Sequence, residues 1–261
     1  AVEKALLSRV VNPSPTTIFV SEFIGTALLL LLGIGVGCNQ SLKKSFGFGP
    51  SWLLTSIGWG FAVFVGASVA WRSGAQLNPA VTIALAMSDS NPQGWDVVPI
   101  YITAQVLGAM VGAILAYLLY KKQFDTNGDN TNTGGLFYTS ASVPSIWWNI
   151  LSETIATFVL VYWVLESSPF VPGTGDSPPE FGNAALGYAG VAFTVIAVGA
   201  SLGGATGYAI NPARDFGPRF VYWLLPMKGK GSANWSYAWI AILGPVIGGA
   251  LAAELFNLVT A

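Results

Sequence analysis

Ser73-Gly74-Ala75-Gln76-Leu77-Asn78-Pro79-Ala80 and Thr206-Gly207-Tyr208-Ala209-Ile210-Asn211-Pro212-Ala213 are two copies of one pattern, [Ser/Thr]-Gly-x-x-[Leu/Ile]-Asn-Pro-Ala. A lone Asn-Pro-Ala is an ordinary helix start. Two copies with matched flanks, in so apolar a chain, describe a duplicated element that uses a helix N-terminus twice. Asn is a strong N-cap, because its side-chain oxygen accepts a backbone N–H two or three residues on. Pro fits the first helical position, where its missing N–H would have had no partner. Each motif therefore predicts a helix launched at Ala80 or Ala213. The cap occupies the Asn oxygen and leaves the side-chain NH2 as a forward donor. The helix dipole adds a positive partial charge of roughly half an elementary unit at the same place.

The surrounding composition is that of a membrane protein. The 261 residues are 53% hydrophobic and 9% charged, against about 25% charged in an ordinary soluble domain. Stretches apolar enough to cross a ~30 Å hydrocarbon layer fall near 18–37, 52–70, 98–120, 146–165, 184–203 and 236–258. The helices launched by the two motifs meet charged or turn residues too soon to cross alone, and read as half-membrane helices. The fold class is an all-α membrane protein with six transmembrane helices and two half-membrane helices. A net charge of −1 offers no basic field for nucleic acid. The absence of histidine removes the commonest general base and metal ligand. Cys38, the single cysteine, excludes an internal disulfide and reads as a small packing residue. No metal or cofactor is called for. Residues 1–17 are mixed and read as a short tail without a cleavable signal.

The two motifs belong to two half-chains within one transmembrane domain spanning 1–261. The first repeat runs over about 18–120 and the second over about 146–258, with a polar, turn-rich linker at about 121–145. Ser21-Glu22-Phe23-Ile24-Gly25-Thr26 opens one half and Ser152-Glu153-Thr154-Ile155-Ala156-Thr157 the other. Three crossings per half is an odd number, so the second half enters from the opposite side and the repeat is inverted. Half-helix N-termini meeting at the midplane build a polar site inside a bilayer, and non-helical backbone at that depth must line a watery cavity. Small residues in Gly108-x-x-x-Gly112 and Gly244-x-x-x-Gly248 permit close helix contact. The proline-rich connection Ser167–Gly182 reads as a linker.

Ionisable groups in apolar surroundings are expensive and usually functional. Glu22 and Glu153 read as supports that fix the re-entrant backbone of their own halves; a proton relay is the alternative. Arg214, directly after the second motif, can present up to five donors to a narrow opening. Asp215 and Arg219, one turn apart, are expected to pair with neighbours and brace a loop.

These motifs, with Ala213-Arg214-Asp215-Phe216-Gly217-Pro218-Arg219 following the second, resemble the major intrinsic proteins, or aquaporins, and specifically their glycerol-conducting branch. The resemblance runs from Glu22 to about Leu251. It implies a six-helix pore per subunit and four subunits per assembly in lipid, passing glycerol, small polyols and water. Asn78 and Asn211 would be the central donors. Trp59, Gly199, Tyr208 and Arg214 would form a narrower constriction, with Gly199 supplying width where water-specific members have histidine. The backbone of Gly74, Ala75, Gln76, Gly207 and Ala209 would line the path. Asp215 and Arg219 stand where the glycerol branch has an acidic and a basic residue. Gln76 replaces a histidine common in the family, so a titratable gate is lost there. The resemblance also implies a plasma-membrane location with both termini cytoplasmic. The lysine distribution, with Lys43, Lys44, Lys121, Lys122, Lys228 and Lys230 then outside, runs against the positive-inside tendency.

Three functions compete. The first is a passive channel for glycerol and similar uncharged polyols, with water also passing. The second is a pore of the same fold conducting mainly water or another small neutral solute. The third is a coupled secondary transporter, which needs a midplane ion site; beside the two motifs only Asp215 is acidic. An enzyme reading lacks any nucleophile–base pair.

Overall fold

The structure is a computed structural model that describes residues 13–88, 94–167 and 186–261. Ten α-helices are present among them: α1 Pro15–Ser41, α2 Trp52–Val69, α3 Pro79–Met87, α4 Val98–Leu119, α5 Lys121–Thr126, α6 Ile146–Leu165, α7 Tyr188–Leu202, α8 Pro212–Leu224, α9 Trp235–Ala238 and α10 Ile240–Thr260. No strand occurs among the described residues. Five long helices, those built on α1, α2, α4, α6 and α10, are long and apolar enough to cross a membrane, and α7 is a shorter apolar helix. The connection expected at Ser167–Gly182 lies outside the described residues, Ser167 excepted.

Lengths follow from residue counts. At 1.5 Å per residue, α3 with 9 residues is about 13 Å long and α8 with 13 about 20 Å. Both fall short of the ~30 Å hydrocarbon layer. Both half-helices start at the proline of their motif, one residue earlier than the alanine expected from the sequence.

The halves correspond element by element. Helix α1 packs on α4, as α6 packs on α10, and α2 packs on α7. Each half-helix lies against the last helix of the other half, α8 on α4 and α3 on α10. Helix pairs in lipid are held by close backbone approach, since lipid tails are as apolar as leucine. The small-residue pairs supply it here. A Cβ added to Gly108 or Gly112 would sit 2.3 Å from the carbonyl oxygen of Phe23 or Ala27, and one on Gly248 would sit 2.3 Å from that of Thr154. Cys38 is buried in the apolar core, as a packing residue should be. Bulky apolar residues such as Phe61, Leu107, Ile155 and Phe193 face outward, as a lipid-facing surface requires.

The segment after α4 is more than a polar tether. It contains α5 and a 3-10 turn at Thr133–Leu136, and its Phe124, Phe137 and Tyr138 are buried. Phe137 and Tyr138 pack on Tyr222 of α8, with ring centroids 5.3 and 5.6 Å away. A handful of aromatics in an otherwise polar run thus folds the linker down as a cover over α8.

Candidate functional site

The two motifs fold alike down to single dihedrals. Asn78 and Asn211 take extended φ of −154° each and cap their helices. Asn78 Oδ1 accepts from the Ala80 N–H at 2.9 Å; Asn211 Oδ1 accepts from Ala213 and Arg214 at 3.0 and 3.1 Å. The forward NH2 groups are not wholly free, in contrast to the expectation from sequence. Asn78 Nδ2 donates to the Ile210 carbonyl at 2.8 Å and Asn211 Nδ2 to the Leu77 carbonyl at 2.9 Å. One amide hydrogen of each crosses to the other half, and the second is left for the cavity both residues line.

The approach to each cap is strained in the same places. Gly74, Ala75 and Leu77 have φ of 89°, 55° and 53°; Gly207, Tyr208 and Ile210 have 76°, 40° and 44°. Positive φ at a non-glycine costs on the order of 1–3 kcal/mol and persists only where surroundings over-determine it. The glutamates supply that. Glu22 accepts from Ser73 Oγ at 2.6 Å, the Gln76 and Leu77 N–H groups at 3.0 and 2.7 Å, and Gln105 Nε2 at 2.9 Å. Glu153 accepts from the Ala209 and Ile210 N–H groups, both at 2.9 Å. With the N–H groups turned back to a carboxyl, the intervening carbonyls are free to face the cavity.

A cavity of about 300 Å³ runs past the two caps. Of the residues singled out from sequence, Asn78, Asn211, Trp59, Tyr208, Arg214, Gly74, Ala75, Gln76 and Ala209 line it. Leu77 and Ile210 join them, and the rest of the wall is largely aliphatic, with Val63, Val81, Leu160, Val191 and Val195. Trp59 is 7% exposed, so it is no lipid-interface anchor. The Arg214 guanidinium carbon stands 4.0 Å from the Trp59 ring centroid, within cation–π range. Its Nη1 donates to the Phe137 carbonyl at 3.1 Å. Arg214 lines the cavity beside that bond.

Gly199 and Gly207 do not line the cavity. A Cβ on Gly199 would lie 2.8 Å from Tyr208 Cζ and 3.0 Å from Ser56 Oγ. Its missing side chain seats the Tyr208 ring, where the sequence alone suggests an open gap. Gly207 turns its free side to Thr139, whose Cβ would lie 3.4 Å from an added methyl.

Asp215 and Arg219 sit behind the cavity, both fully buried. Asp215 Oδ2 accepts from the Thr139 N–H and hydroxyl at 2.8 and 2.7 Å, and Oδ1 from Arg219 Nε at 2.8 Å. Arg219 also donates to the carbonyls of Thr139, Ala233 and Asn234. The pair ties the linker and the loop before α9 to the half-helix. Sequence reasoning missed Phe137, Thr139 and Gln105. Phe137 and Thr139 flank Tyr138 in an aromatic island within the polar linker, a legible sign of burial; Gln105, a lone amide within an apolar span, was a second.

Among the described residues no group of histidine, cysteine or carboxylate side chains could hold a metal ion. The arrangement is a cavity whose wall brings together the two capping asparagines, an arginine set over the Trp59 ring, and Tyr208.

Residues 10–256 match the family described as Major intrinsic protein. The chain is 44% identical over 242 residues to the glycerol uptake facilitator protein of Bacillus subtilis (strain 168), covering 92% of this chain and 84% of that one. It is 45% identical to the probable glycerol uptake facilitator protein of Thermotoga maritima, covering 92% and 98%. The solved structure of the aquaglyceroporin from Plasmodium falciparum superposes with a TM-score of 0.78 at 29% identity, over 95% of this chain and 98% of that one. With this match across almost its full length, and two opposed half-helices capped by paired asparagines, the chain belongs to the major intrinsic protein family.

Proposed function

We propose that the protein is a passive transmembrane channel for glycerol and other small uncharged polyols, with water also passing, that excludes protons and ions. The observation that carries this reading is the placement of Arg214 against Trp59, with Tyr208 on the wall of the same cavity. A polyol has hydroxyls along one edge and C–H groups along the other. Arg214 donors and the motif carbonyls would replace water around its hydroxyls, while the aromatic rings take its carbon edge. Each exchanged hydrogen bond is worth a net ~0.5–1.5 kcal/mol, enough to ease entry without trapping the solute. The names borne by the bacterial relatives and by the parasite structure agree with this substrate class.

In this reading Trp59, Tyr208 and Arg214 are the constriction, Gly199 its seat, and Asn78 and Asn211 the central donors. Glu22, Glu153, Asp215 and Arg219 are supports. The working assembly is a homotetramer in the plasma membrane with cytoplasmic termini.

The test is stopped-flow light scattering on proteoliposomes under glycerol and water gradients. Glycerol flux should rise linearly with its gradient and need no ion. Flux of water alone would favour a water pore, and saturation with dependence on an ion gradient would favour a coupled transporter; either overturns the reading.

A further inference from the structure

Trp52 stands seven positions before Trp59 on α2, two helical turns away and on the same face. It does not line the cavity, and at 46% exposure it resembles an ordinary interfacial tryptophan. Its contacts are more specific than that role needs. Trp52 Nε1 donates to the Gly199 carbonyl at 2.9 Å. That oxygen is one of the last four of α7, which helix geometry leaves without a partner. The indole also meets the Tyr208 ring edge-to-face, with centroids 5.8 Å apart and planes at 78°. The two rings close over Gly203, where an added Cβ would lie 2.4 Å from Tyr208 Cδ1 and 2.7 Å from Trp52 Cζ2. Ser56, whose Oγ donates to the Trp52 carbonyl at 3.0 Å, lies 3.0 Å from where a Cβ on Gly199 would be.

Tyr208 is therefore a cavity-wall ring on a strained backbone, φ 40°, and one side of it is held by a residue that does not line the cavity. We propose that Trp52 is a positioning residue for the constriction: it wedges Tyr208 against Gly199 and so sets the size cut-off for solutes. The inference rests on the proposed role of Tyr208 in selection. Without the indole, Tyr208 can retreat toward lipid, and the opening widens for longer polyols more than for short ones.

The measurement is the xylitol-to-glycerol permeability ratio in proteoliposomes of Trp52→Leu, Trp52→Phe and Tyr208→Leu, each checked for oligomer size in detergent. Trp52→Leu should raise the ratio about threefold or more, a barrier change near ~0.7 kcal/mol. Trp52→Phe keeps a ring edge but loses the N–H donor, and should raise it by a smaller factor, about twofold. A merely structural tryptophan would lower both permeabilities together and leave the ratio alone. An unchanged ratio in Trp52→Leu, or in Trp52→Phe if the leucine variant does not assemble, overturns the inference. If Tyr208→Leu shifts the ratio in that case, selection at Tyr208 stands and only the role of Trp52 falls. If Tyr208→Leu leaves it unchanged too, the constriction lies elsewhere and both fall.

Discussion

Asn78 and Asn211 each donate an amide hydrogen to the carbonyl that precedes the other, Asn78 to Ile210 and Asn211 to Leu77, at 2.8 and 2.9 Å. The two half-helices are thus joined tip to tip by reciprocal bonds, and their caps cannot swing independently. Both positive dipole ends point at one place. In the proposed channel, a passing oxygen there would be held as an acceptor, which would oppose a chain of donors along which a proton could hop.

The expected outcome is no proton or ion current in vesicles that carry full glycerol flux. Proteoliposomes loaded with a pH-sensitive dye, at several channel densities, provide the check. A proton leak that grows with channel density would remove the barrier assigned to the paired tips.

At Gly199 the cost of a side chain falls on Tyr208, whose Cζ would be 2.8 Å from the new Cβ. Gly199→His should push that ring into the passage and narrow it. Glycerol permeability is expected to fall at least about tenfold, the effect of ~1.4 kcal/mol on a barrier, with water permeability falling much less. Equal losses for both solutes in a well-assembled variant would mean that the seat of Tyr208 does not govern selection.

Much of this was legible because the motifs are local. The Asn caps, the proline starts and the half-helix lengths follow from a few adjacent residues, and the close approaches at Gly108, Gly112 and Gly248 follow from spacing. What the sequence could not supply was which distant group fills a gap. A glycine at 199 reads equally as open space or as a seat, and only the position of Tyr208 decides. The same holds for the free hydrogens of Asn78 and Asn211, half of which are spent on the opposite repeat. The linker reads as polar from its composition, yet Phe137 and Thr139 bring the groups that hold Arg214 and Asp215.

Arg219 and Asp215 form a buried pair with no exposed surface, so removing one partner leaves the other's charge buried without its counter-charge. Arg219→Ala should destabilise the protein by about 3–5 kcal/mol. Asp215→Ala alone leaves Arg219 its three carbonyl acceptors and should cost less. The double variant should cost less than the two single losses combined, as expected for residues in direct contact. Unfolding temperatures in detergent for the three variants complete the cycle. Strict additivity would show that the pair contributes no coupling and that the loop contacts of Arg219 act alone.

Glu153 holds the second re-entrant segment through two backbone N–H groups, Ala209 and Ile210. Glu153→Gln keeps the shape but replaces one acceptor oxygen with an NH2 donor. Whichever way the amide turns, one of those N–H groups then faces a donor in a place that water does not reach easily. A stranded buried N–H costs about 1–3 kcal/mol, and it falls on a segment where Tyr208 and Ile210 already carry strained φ. The variant should therefore unfold at lower temperature and lose glycerol flux, and its remaining flux should stay insensitive to a proton gradient. If Glu153→Gln were as stable as the parent but abolished a proton-coupled component of transport, the carboxyl would be a relay and its support role would have to be given up.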